Sequence, residues 1–169
     1  KTILELIKEF ASTWISLDAY DREKLTVIGH TRKSIKLTGE ELRDAILNLR
    51  VELIKKDEAT DIFAQEREKD SVLGIIGNVM QSFRGKMLYE TNEEKAAHLL
   101  YFMVKNHPYT DGNKRSGAFA FVWFLKQANT LDIAKLTPSA LTALTILVAE
   151  SDPAHKEKIV KLILNLISK

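Results

Sequence analysis

Residues 107–117 read HPYTDGNKRSG. Within these eleven residues stand an imidazole (His107), a carboxylate (Asp111), an amide (Asn113), two adjacent cations (Lys114 and Arg115) and two glycines (Gly112 and Gly117). A surface turn uses Gly, Asp and Asn for their backbone conformations; it has no need of this set of ionisable groups. Phosphate chemistry does. Gly112 permits a sharp turn and a close backbone approach to a ligand. A helix starting just after it would point unpaired N–H groups and a partial positive charge at an anion. Lys114 and Arg115 add two full positive charges there, and Asn113 adds amide donors. Without an anion, two cations in a first helical turn are misplaced against the dipole. Asp111 would repel a bare phosphate. A divalent cation explains it, because Mg²⁺ typically takes one or two carboxylates together with phosphate oxygens and water. His107, four residues earlier, carries the imidazole of the cluster, the side chain most often used for proton transfer, so it is a candidate general base for an incoming hydroxyl. Base, metal ligand and phosphate cradle together describe phosphoryl or nucleotidyl transfer.

Singly, these residues have plainer readings. A histidine before proline can complete a helix end, Asp-Gly is a common turn pair, and Lys-Arg can be a solvated first turn. It is their combination that argues for a site. The familiar nucleotide motifs are absent. Gly112 and Gly117 have P-loop spacing, but Ala118 and Phe119 follow where Lys and Ser or Thr should stand. The sequence contains neither GxGxxG nor HExxH. With no cysteine, thiol nucleophiles, disulfides and Cys-ligated zinc are excluded.

The elements that must position the cluster read as helices. The 169 residues suggest one domain with a short appendage, 45% apolar and 28% charged, as in ordinary globular proteins. The net charge of +2 gives no ground for nucleic-acid binding by itself. No apolar run reaches the roughly 18 residues of a membrane span. The opening KTILELIKEF holds two acidic residues and no small-residue cleavage site, so it does not read as a signal peptide. These features lead us to expect a cytoplasmic protein, with no membrane partner. The absence of an initiator Met suggests a piece of a longer chain.

Seven Gly and three Pro punctuate a sequence rich in 3.6-residue periodicity. Residues 2–19 read as a helix with Ile3, Leu6, Ile7, Phe10 and Trp14 on one stripe. Residues 22–36 hold five basic residues and one acidic one. Thr38 with Glu41 forms a capping box for a helix reaching Lys56, and Thr91 with Glu94 forms another for a helix reaching about Asn106. The charged stretch 57–69 either continues the first helix or connects it onward. A helical stretch covers 70–83. Residues 82–91 break the pattern, with a turn at Gly85 and extended chain at Met87–Tyr89. SGAFAFVWFL, at 116–125, is apolar nearly all round, which predicts a buried central helix in which Trp123 and Phe124 are core. Thr137 and Asp152 each precede a proline and start two last helices, near 138–150 and 153–167. The predicted fold is all-α, a helical bundle around a buried central helix with a short β-hairpin. The predicted organisation is a helical or linker extension at 1–36 and a catalytic domain at 37–169. His98 reads as a helix-face residue without a catalytic part, and His30 and His155 as surface residues.

HPYTDGNKR resembles the signature of the Fic/Doc (Fido) family: His, then Phe or Tyr, an acidic residue, Gly or Ala, Asn, Gly or Lys, and Arg, in this order and spacing. FRGKMLYETNEEKAAHLLYFMVKN resembles the flap and following helix of its Doc-like (death-on-curing) branch, in which the pattern F-x-G-x-x-L-Y-x-T-x-x-E-K-A is familiar. The resemblance covers about residues 70–128. The whole chain is similar to the C-terminal part of RhuM-like bacterial proteins.

The resemblance implies a role for each matching residue. His107 would deprotonate a Ser, Thr or Tyr hydroxyl of a protein substrate, and Asp111 would hold Mg²⁺. Gly112, Asn113 and Lys114 would form the anion hole for the phosphates of ATP or another nucleoside triphosphate. Arg115 would grip a phosphate and pack the motif. Tyr109 stands where Phe is usual, so its hydroxyl needs a partner or solvent. Gly85, Lys86, Met87, Leu88 and Tyr89 would form a flap that docks the target by strand addition.

One position bears on the chemistry. AMP-transferring members usually carry a second glycine where this chain has Lys114. Doc-like members with Lys are associated with a reversed nucleotide pose that presents the γ-phosphate. Gly112, however, stands where Doc itself has Ala. Phosphate transfer is therefore expected ahead of AMP transfer. The readings from other classes are a catalytically silent module that binds nucleotide or a partner, and a DNA-associated regulator using residues 22–36. Many family members carry an internal brake with Ser or Thr four residues before a glutamate, and no glutamate in this chain has one there. Inhibition is therefore expected from an antitoxin or another partner in trans, or from a part of the protein outside this sequence.

Overall fold

The computed structural model describes residues 37–83, 86–131 and 136–167. The expected helix at 2–19, the basic stretch at 22–36 and Gly85 of the expected flap lie outside these residues. The described chain is mainly helical with one two-stranded hairpin, the all-α fold that the sequence predicts.

Helix α1, Gly39–Lys55, starts at the first capping box, where Glu41 N donates to Thr38 Oγ1 at 3.2 Å. It ends in a Schellman turn. Asp57 takes φ 59°, its N–H donates to Ile54 O (3.1 Å), and Glu58 N donates to Leu53 O (2.8 Å). Residues 57–69 therefore connect and do not continue the helix. Helix α2, Ser71–Val79, is shorter than the 70–83 read from periodicity. The difference lies at its C-terminal end, where Ser82–Phe83 (β1) pair antiparallel with Lys86–Met87 (β2). The N-cap of α2, Asp70, gives no side-chain cap and pairs instead with Arg43 of α1 at 3.3 Å. Glu66 accepts from Val72 N (3.1 Å) in its place.

Helix α3, Asn92–Lys105, begins at the second capping box, with Glu94 N donating to Thr91 Oγ1 at 3.0 Å. Helix α4, Asn113–Gln127, is the predicted central helix, with every residue from Phe121 to Leu125 buried. It too ends in a Schellman turn, at Asn129 (φ 57°). Helix α5 spans Pro138–Glu150, capped by Thr137. The last expected helix begins as a 3₁₀ turn at Pro153–His155 and becomes α6 at Lys156–Ile167.

The core has two central helices. Helix α4 packs on α1, α3 and α5, while α3 packs on α2, α4, α5 and α6. The α3–α4 approach is close because Gly117 has no side chain. A Cβ there would lie 2.8 Å from Val104 Cγ2. This tight pair fixes the turn between them, and that turn carries the polar cluster. No helix among the described residues is long and apolar enough to cross a membrane.

Candidate active site

The turn from α3 to α4 is built for position more than for flexibility. Helix α3 ends at Asn106, and His107 then takes a left-handed φ of 48°. Histidine adopts this conformation more readily than most side chains, still at a cost of about 1 kcal/mol. It leaves the imidazole exposed to the cavity described below. Asn113 ties the turn together. Its Oδ1 accepts from Tyr109 N and its Nδ2 donates to Tyr109 O, each at 2.9 Å. These two bonds settle which end of the amide is which. Nδ2 also lies 3.5 Å from His107 Nδ1, an outer-limit contact that orients the ring. The amide donors that the sequence suggested for an anion are thus engaged by the loop.

The connector between α1 and α2 runs beside the turn as a strap. Ala64 N donates to Asp111 O (3.1 Å), Thr110 N to Gln65 O (2.9 Å) and Arg67 N to Pro108 O (2.9 Å). Phe63, fully buried, lies beneath Gly112. Gly112 has φ 83°, and a Cβ on it would come within 2.4 Å of the Phe63 ring. Glycine is thus required there twice, for conformation and for space. The Arg115 guanidinium sits 4.4 Å from the centroid of the same ring. Its Nη1 donates to Glu58 O at 2.9 Å, the carbonyl that follows the Schellman turn of α1. Arg115 is only 7% exposed, yet it borders the cavity.

Tyr109 is buried at 2% exposure, and its hydroxyl has no hydrogen-bond partner among the described residues. Burial pushes its pKa up, and the charge of Glu66 pushes it further. The partner that the sequence reading required is not supplied.

The turn opens into a cavity of about 540 Å³, within the usual range for small-ligand sites. Its lining falls into two sets: His107 and Thr110–Arg115 from the turn, and Val104, Ile146, Ala149 and Glu150 from α3 and α5. Lys105 fixes the α5 side. Its Nζ donates to Ala149 O (3.2 Å) and to Ser151 O. Asp111 is half-buried, and its carboxylate has no hydrogen-bond partner among the described residues. Lys114 is exposed beside it. Gly112 caps α4 without a side-chain hydrogen bond, and the first residues of that helix, Asn113 to Arg115, line the cavity. Among the described residues no three His, Asp or Glu side chains gather to hold a metal by themselves. One free carboxylate next to a phosphate cradle does fit Mg²⁺, which brings its other ligands with the nucleotide.

His107, Asp111, Gly112, Asn113, Lys114 and Arg115 are therefore brought to one cavity. Leu88 and Tyr89 of the expected flap are not among its lining. Lys86 and Met87 form β2, Leu88 is 56% exposed, and Tyr89 stacks on His98 of α3 at 3.7 Å and 15°. His98 Nδ1 lies 2.8 Å from Glu94 O, and burial lowers its pKa, with Lys156 lowering it further. Sequence reasoning missed Phe63, the Glu58 carbonyl and Glu150. Phe63 had a signal: it is the lone aromatic in the charged run KDEATDIFAQEREK. A backbone carbonyl has none.

Comparison with protein families matches the Fic/DOC family over residues 32–125, just over half of the chain. Comparison with curated proteins and with solved structures gave no match.

Proposed function

The chain belongs to the Fic/DOC family, and from that premise we propose that it transfers the terminal phosphate of ATP or another nucleoside triphosphate to a hydroxyl of a protein. Members of this family carry out nucleotide-dependent transfer of a group to proteins, generally with Mg²⁺. The observation that carries the reading for this chain is the convergence of His107, Asp111 and the Gly112–Arg115 turn on one cavity. His107 is the proposed base for a Ser, Thr or Tyr hydroxyl. Asp111 would hold Mg²⁺, which neutralises phosphate charge when bound. The N-terminus of α4, Lys114 and the buried Arg115 would hold the phosphates.

Phosphate transfer, the Doc-like chemistry, is favoured over AMP transfer by Lys114. Its long cation projects from the backbone where a glycine would let an α-phosphate lie close. Gly112 supports AMP transfer as the second reading, since it keeps half of the more open loop. Near-attack geometry needs about 3–3.5 Å between reacting atoms, so a single pose serves one phosphorus well. Inhibition by an antitoxin or another partner in trans, or by a part of the protein outside these 169 residues, belongs to the same proposal, since no glutamate in this sequence has Ser or Thr four residues before it.

The test is incubation of the purified chain, Mg²⁺ and cell lysate with α- or γ-labelled ATP. Protein label from γ-labelled ATP alone is the expected result. Label from α-labelled ATP would replace phosphate transfer with AMP transfer.

A further inference from the structure

His107 borders a second cavity, of about 460 Å³, on the side of Pro108 and Asn106. One face of α2 forms much of its wall. Ser71, Gly74, Ile75 and Asn78 follow the 3–4 residue spacing that puts side chains on one side of a helix. Arg67 and Glu68 complete it from the strap. None of the residues Asp111 to Arg115 belongs to this lining. The two cavities have His107 in common. One combines Lys114 and Arg115 with Asp111, Glu150, a glycine turn and a helix N-terminus; the other is a polar recess of Ser, Asn, Arg and Glu side chains over Ile75.

We infer that the second cavity is the acceptor site, which receives the hydroxyl-bearing side chain of the target protein and its polar neighbours. The inference rests on the reading of His107 as the base. In that reading the acceptor oxygen bonds to the terminal phosphorus and its proton goes to the His107 imidazole. The bond between that phosphorus and the bridging oxygen breaks, and the nucleoside diphosphate leaves with the electron pair. A base must touch the acceptor while the donor phosphorus lies beyond it in line. His107, which borders both cavities, meets this requirement if the nucleotide occupies one and the acceptor the other. The recess is far larger than a hydroxyl, so it also reads residues flanking the modified one. Ser71, Asn78, Arg67 and Glu68 favour polar or charged flanking residues over apolar ones.

Gly74 offers a clean test. A Cβ built on it meets nothing within 4 Å, and its φ is not positive, so a side chain enters the cavity without backbone strain. Gly77 is equally open, lies on the same helix and is not part of the cavity wall. Gly74→Phe and Gly77→Phe therefore make the same change with opposite consequences. Each variant of the full chain is assayed for melting temperature, ATP affinity by calorimetry, and protein labelling in lysate from γ-labelled ATP. Gly74→Phe should fold, hold ATP within about twofold of wild type and lose protein labelling by about 10²-fold or more. Gly77→Phe should label as wild type does. Undiminished labelling by Gly74→Phe overturns the assignment, as does equal loss in both variants. Loss of ATP affinity in Gly74→Phe overturns it as well, because it puts the nucleotide in this cavity. Failure of the underlying reading looks different: the wild-type chain then labels no protein at all, and the assignment falls with it.

Discussion

At the scale of single residues, the cluster works by division of labour. Asn113 and Gly112 make the turn, Arg115 packs it, and Asp111, Lys114 and His107 remain available to ligands. Side-chain type made the last three legible in the sequence, because no fold requires such charges together in a loop. The turn makers were harder to assign, because an asparagine that bonds its own loop and one that bonds a ligand look alike in sequence. Asp111 gives the sharpest residue-level test. Asp111→Ala should remove the Mg²⁺ dependence of ATP binding, measured by calorimetry with Mg²⁺ and with chelator. A variant that still binds more tightly with Mg²⁺ than without it removes Asp111 from that role. Tyr109 gives a stability test. Its buried hydroxyl lacks a partner among the described residues, so Tyr109→Phe deletes an unsatisfied polar atom and should stabilise the fold by roughly 1 kcal/mol. Chemical denaturation reads this directly; a loss of stability would mean that the hydroxyl has a partner after all.

At the scale of elements, the strap at 57–69 and the hairpin at 82–87 carry the lessons. Among the described residues the helices were legible where caps marked them: Thr38, Thr91 and Thr137 each cap the helix they were read to start. The strap was not, because its pairing with 108–111 uses backbone groups that any sequence supplies. Helix α2 was read too long because periodicity does not register where strand pairing takes over from helix. The hairpin is tied to α3 by the Tyr89–His98 stack, and this gives a pH dependence. Burial lowers the His98 pKa in the folded chain, while the unfolded imidazole titrates near its usual value of about 6.5. Between the two values the unfolded chain binds more protons. Stability should therefore fall as pH drops through about 6.5 and level off below the folded-state pKa. His98→Gln should flatten this part of the profile in melting curves collected across pH. An unchanged slope would assign the effect to another group.

At the scale of the whole molecule, two buried helices, α3 and α4, hold a loop of ionisable groups rigidly at the edge of a cavity. The sequence showed one of them clearly, since 116–125 is apolar all round. The central place of α3 was hidden by its polar first turn, where Asn92, Glu93 and Lys95 are buried despite their chemistry. Cavities were not legible at all, since they are made by residues distant in sequence, such as Gly112 and Glu150. The central claim is that this arrangement makes His107 the base in a nucleotide-dependent transfer to protein. The most direct measurement compares wild type and His107→Ala for label transferred from γ-labelled ATP to protein, with ATP affinity and melting temperature recorded alongside. The expected result is a loss of transfer of about 10²–10⁴-fold, with affinity and folding nearly intact. Equal transfer by a folded His107→Ala variant would contradict it.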